Sequence, residues 1–246
     1  MESGLPSCEP AYAPNGKTIV FDAGGRIGLI DADGRNEREL PPLPKHTNPR
    51  AGYALEPTFS PDGRSLLLAW DGHLFTERLD GSRLRQIATG RLRGPGATSA
   101  AWSARELIAF VYRHNIFLIR SNGHGLRQLT YGGGADPAFS PRGGRIAFTR
   151  SVSSSDSVSY PYRIFIIGVD GRGIQPLRGI SSGPSIFPAW SPDGNCIAFE
   201  TGVVPGSAII DTSIDEVRTN GRNLREVYSG GSYDVLGGPD WQPLPR

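Results

Sequence analysis

The stretch Pro188-Ala-Trp-Ser-Pro-Asp-Gly-Asn-Cys-Ile-Ala-Phe199 decides the fold, because it is a β-hairpin with its turn chemistry written out. Proline presets φ at about −65° in the second position of the turn Ser191-Pro-Asp-Gly194, and glycine supplies the positive φ needed to leave it. Trp190 stands on a short strand before the turn, and Ile197-Ala-Phe199 makes an apolar strand after it.

The same pattern recurs in both directions along the chain. Earlier copies are Pro10-Ala-Tyr-Ala-Pro-Asn-Gly16 with Thr18-Ile-Val-Phe21, Phe59-Ser-Pro-Asp-Gly63 with Leu66-Leu-Leu68, Ala101-Trp-Ser103 with Leu107-Ile-Ala-Phe110, and Phe139-Ser-Pro141 with Arg145-Ile-Ala-Phe148. After each come a third strand, an Asp-Gly or Asn-Gly turn and a short fourth strand, as in Asn115-Ile-Phe-Leu-Ile119, Asn122-Gly123 and Arg127-Gln-Leu129. The last copy, Pro239-Asp-Trp-Gln-Pro243, has no partners after it. The aromatic markers stand at 12, 59, 102, 139, 190 and 241. Four-stranded units repeating every ~40–50 residues are the signature of β-propeller blades, which must pack face to face around an axis.

The expected fold is therefore all-β: a propeller of four-stranded antiparallel blades, with five blades favoured and six as the alternative. A single domain over residues 1–246 is expected, with blades near 10–40 plus 239–243, 57–88, 99–130, 136–177 and 188–228. In this reading the C-terminal strand joins the N-terminal blade and closes the ring, competing there with Ala11-Tyr-Ala13.

Composition agrees and narrows the function classes. The 33 glycines and 21 prolines fall between short apolar runs, as tight turns between many strands require. A net charge of +2 is too mild for a nucleic-acid footprint. No apolar run approaches the length of a membrane-spanning helix, and residues 1–8 carry neither a basic nor an apolar signal region. Cys196 reads as a small core residue, and a Cys8–Cys196 bridge needs the chain ends to meet. A monomer is expected.

The repeats resemble those of TolB-type propellers, on Phe59-Ser-Pro-Asp-Gly63, Phe139-Ser-Pro141 and Trp190-Ser-Pro-Asp-Gly194, each followed by an Ile-Ala-Phe-like strand. The likeness, which also extends to WD40-like repeats, covers nearly the whole chain. The third copy departs from it, since Ser103-Ala-Arg-Glu106 has neither proline nor glycine, and leaves the turn type there open. The resemblance implies a bacterial cell-envelope, periplasmic or extracellular protein that works by protein binding, although several enzymes use related propellers.

Strand order places the a–b and c–d turns on one face and the b–c and d–a connections on the other. The first face has uniformly tight turns, whose Asp and Asn residues are turn formers. The second carries all the length variation, including the d–a segment 41–56 and the b–c insertions 151–162 and 201–206. Long loops on a rigid scaffold are where binding residues concentrate. Trp70, His73, Tyr112, Arg113, His114, Tyr160, Tyr162 and Arg163 are the candidate binding residues there, of types that anchor interfaces. The alternative is a serine-rich loop without a ligand and aromatics packed on their neighbours.

Catalysis has little support. No Gly-x-Ser-x-Gly elbow and no phosphate-binding glycine loop is present, and the repeated serines of the turns read as structural. His46, His73 and His114 map to the loop-rich face without metal-motif spacing, and His124 maps to the opposite one. Asp22, Asp71 and Asp156 are the only acids assigned to that mouth. No cofactor, metal or catalytic residue is assigned. The expected function is a non-catalytic scaffold for a protein or peptide, with a metal-assisted lyase or hydrolase at the axial channel as the alternative.

Overall fold

The computed structural model describes residues 10–43, 56–87, 92, 96–152, 162–180, 184–202, 211–232 and 238–243. Among them there is no helix, and twenty strands, β1 to β20, form five four-stranded antiparallel sheets in sequence order. Blade one is β1(Ala11–Tyr12) to β4(Arg38–Glu39), and blade two is β5(Thr58–Phe59) to β8(Arg85–Gln86). Blade three runs from β9(Ala97–Trp102) to β12(Arg127–Gln128), blade four from β13(Ala135–Phe139) to β16(Gln175–Pro176), and blade five from β17(Ser185–Trp190) to β20(Arg225–Ser232). The first strand of each blade is innermost, and these strands pack in the order β1, β5, β9, β13, β17.

The turn of the founding repeat is built as its residues require. Gly194 N–H donates to Ser191 O at 2.8 Å, with Gly194 at φ 74°. The Ser191 hydroxyl donates to Asp193 Oδ1 at 2.6 Å and accepts the Cys196 N–H at 2.9 Å. The serine thus ties the turn to the next strand, and its hydroxyl holds the Asp193 carboxyl below its ordinary pKa. The divergent third copy folds the same way: Glu106 N–H donates to Ser103 O at 3.1 Å, and Glu106 itself takes φ 58° in the glycine position.

The core lies between blades. In each second strand, alternate side chains serve opposite faces: Leu66 and Leu68 pack on blade one, while Leu67 and Ala69 pack on blade three. Four such apolar seams join blades one to five in sequence. Marker tryptophans cross a seam, as Trp190 Nε1–H donates to Ala138 O at 3.1 Å in the preceding blade. Cys196 is a free, half-buried cysteine whose thiol is pushed up to about 11, by burial first and then by Glu216 beside it. Cys8 lies outside the described residues.

The ring closes where the chain ends meet, but in a different manner from the composite blade expected. The inner strand of blade one is β1, whose Ala11 and Tyr12 pair with Val20 and Ile19. Residues 238–243 form a separate inner segment between blades five and one. Tyr12 N–H donates to Asp240 Oδ2 at 2.7 Å, Gln242 Nε2 donates to Gly16 O at 3.0 Å, and Trp241 Nε1 donates to Ala189 O at 3.2 Å. The edge of β2 is already held by β1, and Pro239 and Pro243 each remove an amide from the incoming segment, so it docks through side chains.

Candidate functional site at the channel mouth

The inner strands of blades two to five and the 238–243 segment each carry a kink near their start. Glu56, Ser99, Asp136 and Phe187 have φ of 36°, 45°, 49° and 51°, and Gly238 has φ 80°. All but Ser99 precede a proline. In blades three to five the kink is a β-bulge, with one extra residue on the inner strand opposite β10, β14 and β18. A bulge re-aims its side chain, and here the kinked residues line a cavity of about 160 Å3 that also touches Pro10. Six inner segments surround it, five from blades and one from residues 238–243.

Two acids belong to this ring. Burial pushes the Glu56 carboxyl up to about 7, aided by the negative charge of Asp136 and opposed by the Ser99 N–H, which donates to Glu56 Oε2. Asp136 is also held above the ordinary carboxylate range by burial, against the pull of the Thr149 hydroxyl and the Phe187 N–H. A partly desolvated pair of carboxylates facing a small cavity favours a cation, whose charge offsets their repulsion.

The b–c hairpins open on the same face as the mouth. Gly72 O accepts the N–H groups of Gly96 and Ala97 at 2.9 Å, and His114 O accepts Gly134 N–H at 2.9 Å, so each hairpin tip is tied to the entry of the next blade. The β6–β7 tip, Asp71-Gly72, has φ of 52° and 72°, and the β10–β11 tip, Arg113-His114, has 48° and 61°. Positive φ at both central positions defines the turn that favours Asn-Gly or Asp-Gly. Arg113-His114 is a costly choice there, and strain retained at an exposed loop tip points to use.

The sequence-predicted residues fall into three groups. Trp70 and Tyr112 are buried in blade seams, with Trp70 5.0 Å from the Phe75 ring and Tyr112 edge-on to Phe117 at 5.7 Å. His73, half-buried, and Arg113 and His114, exposed, stand at hairpin tips, with the Arg113 guanidinium 5.5 Å from the Tyr112 ring. Tyr162 and Arg163 are half-buried at the start of β15(Tyr162–Gly168), opposite Ser151 and Arg150. Thus Tyr112, Arg113 and His114 are brought together in blade three, Trp70 and His73 are register partners in blade two, and Tyr162 and Arg163 are neighbours in blade four, so the three groups sit on separate blades. Tyr160, His46 and Asp156 lie outside the described residues.

Sequence reasoning missed Glu56 and Asp136. A signal was present: Glu56-Pro57 and Asp136-Pro137 stand at the place of Phe187-Pro188 and Gly238-Pro239, directly ahead of the markers. Among the described residues, no group of three His, Cys, Asp or Glu side chains is placed to hold a metal ion.

No family model matches the chain. The chain is 25% identical over 171 residues, or 65% of its length, to a Bacillus subtilis protein named as an uncharacterized peptidase, YuxL. It spans about a quarter of that relative, 24% of its length. Among solved structures, a TolB protein described as putative, from Agrobacterium tumefaciens, superposes with a TM-score of 0.74 at 19% identity, covering 96% of this chain and 86% of that one. An oligogalacturonate lyase in complex with manganese superposes with a TM-score of 0.58 at 15% identity, covering 90% and 65%. The first superposition, over 96% of this chain, shows that its fold is similar to that of a TolB-type β-propeller.

Proposed function

We propose that this propeller is a non-catalytic scaffold that binds a protein or peptide on the face of the b–c and d–a connections, with one basic side chain of the partner entering the channel mouth. The observation that carries this reading is the Glu56–Asp136 pair in a cavity of about 160 Å3. That volume is below the ~300–1,000 Å3 of small-molecule sites and suits a single lysine or arginine side chain. His73, Arg113, His114, Tyr162 and Arg163, with Tyr160 of the same insertion, would supply rim contacts. Trp70 and Tyr112 would hold the hairpins beneath them. The metal-assisted lyase or hydrolase reading rests on fold likeness alone, and a fold does not carry an activity.

The test is fluorescence anisotropy with labelled decapeptides that differ only in a central Lys, Gln or Glu. Binding of the Lys peptide, weakened at least tenfold by Glu56→Gln or Asp136→Asn and by added salt, supports the reading. Equal affinity for the three peptides, or none for any, overturns it.

A further inference from the structure

Blade two departs from its neighbours at one register position of its third strand, near the c–d turn. Thr76 stands there, opposite Leu67 of the second strand. The same position holds Leu29 in blade one, Leu118 in blade three and Ile166 in blade four. Those three pack into the seam with the following blade and are 1%, 1% and 3% exposed, whereas Thr76 is half-buried. Beside this shorter, polar side chain lies a recess of about 310 Å3, lined by Ser65, Thr76, Glu77, Arg78, Arg83 and Arg85.

Ser65 pairs with Arg78 and Thr76 with Arg85, so alternation puts all four on one face of the sheet. Arg85 Nη2 reaches across to Ser121 O of blade three at 3.5 Å. Arg83 has φ 58°, at the turn position where the other four blades place Asn36, Gly125, Gly173 and Asn223. Asn and Gly suit that left-handed conformation, and an arginine is held there at a cost that the turn itself does not require. Among the described residues, none of Arg78, Arg83 and Arg85 makes an ion pair. Asp80, beside Arg78, is exposed and accepts the Ser82 N–H of its own turn at 2.9 Å. The side chain of Glu77 alternates to the other face with Leu66, and burial holds its carboxyl above the ordinary range. Blade five carries a different solution at the same two register positions. Glu216 replaces Thr76 and Arg225 corresponds to Arg85, and Arg225 Nη2 donates to Glu216 Oε2 at 2.9 Å. In blade two a hydroxyl stands in place of that acid, and Arg83 in place of Asn223.

We propose that this recess is an oxyanion site for a phosphate monoester, whose phosphoryl group takes the place that the Glu216 carboxylate has in blade five. Three guanidinium groups and the Ser65 and Thr76 hydroxyls can all donate hydrogen bonds into it. A phosphoryl group offers three terminal oxygens and a charge of about −1.5 to −2, against two oxygens and a single charge for a carboxylate. The site lies on the face of the tight turns, opposite the channel mouth, so it stands or falls independently of the basic-side-chain reading.

The probe is phenyl phosphate, titrated calorimetrically into the full protein, with benzoate as the carboxylate of similar shape. Saturable submillimolar binding of phenyl phosphate is expected, with benzoate at least tenfold weaker. Arg83→Gly suits the left-handed turn and removes one guanidinium. Thr76→Glu rebuilds the blade-five pair with Arg85 and fills the recess from within. Each variant is expected to weaken phenyl phosphate at least tenfold, and thermal unfolding checks that each is folded; if Thr76→Glu is not, Arg83→Gly decides alone. No binding to the unaltered protein, or binding that a folded variant leaves intact, overturns the proposal. Benzoate binding as tightly as phenyl phosphate assigns the recess to carboxylates and also overturns it.

Discussion

Trp241 donates its indole N–H to Ala189 O at 3.2 Å, the same contact that Trp190 makes to Ala138 O at 3.1 Å one blade earlier. The last aromatic marker therefore makes the same contact across a seam as the marker of blade five. With the Tyr12–Asp240 and Gln242–Gly16 bonds it ties blade five to blade one.

Deleting residues 238–246 removes this tie and opens the ring. The expected outcome is a lower unfolding temperature and faster hydrogen exchange in both β1(Ala11–Tyr12) and β17(Ser185–Trp190). Trp241→Phe keeps the ring contact and loses only the hydrogen bond, which costs about 1 kcal/mol. A truncated chain that unfolds at the unchanged temperature contradicts the closure.

Trp190 fills the seam between blades four and five, 7% exposed, with the Arg145 guanidinium 4.8 Å from its ring. Trp190→Ala is expected to cost roughly 3–5 kcal/mol in urea unfolding. A loss below about 0.5 kcal/mol is surface behaviour and would falsify the seam assignment.

Glu56 links stability to pH. Its folded value of about 7 lies above the ordinary 4.5, so between these the folded state keeps a proton that the unfolded chain has released. Stability contributed by protonated Glu56 is full below pH 4.5 and is lost as pH rises to about 7. The loss is on the order of 3 kcal/mol. Glu56→Gln flattens this slope, and chemical denaturation at pH 5 and pH 8 reads it. An unchanged slope in the variant shows that Glu56 is not the group responsible.

His114 holds φ 61° at an exposed hairpin tip, where glycine is unstrained. His114→Gly should raise stability by about 1 kcal/mol, the order of the cost of a left-handed conformation for a residue with a Cβ. If the tip serves the proposed partner face, the same variant binds the partner less well while being more stable. Thermal unfolding and the anisotropy assay separate the two effects, and a destabilised variant contradicts the strain argument.

Much of the fold was legible because propeller strands are specified locally. A Ser-Pro-Asp-Gly turn fixes its own hairpin, and Ser103-Ala-Arg-Glu106 does so without proline or glycine because the Ser103 hydroxyl still accepts the Arg105 and Leu107 N–H groups. The candidate site was legible in part. Hairpin tips such as Arg113-His114 follow from strand order. Glu56 and Asp136 did not, because their direction depends on a kink whose register is set by the pairing of whole strands.

The sequence by itself determined the strands, their grouping into four-stranded repeats and the face on which the long connections lie, since turn chemistry and two-residue periodicity act over a few residues. Only the tertiary structure decided how the ring ends. Tyr12 and Asp240 are 228 residues apart, and no local pattern states that they meet. Ile19 and Phe21 read like the buried pairs of every other blade, yet they are half-exposed. Burial belongs to a residue's neighbours, and across that seam the described chain supplies one inner segment instead of a blade.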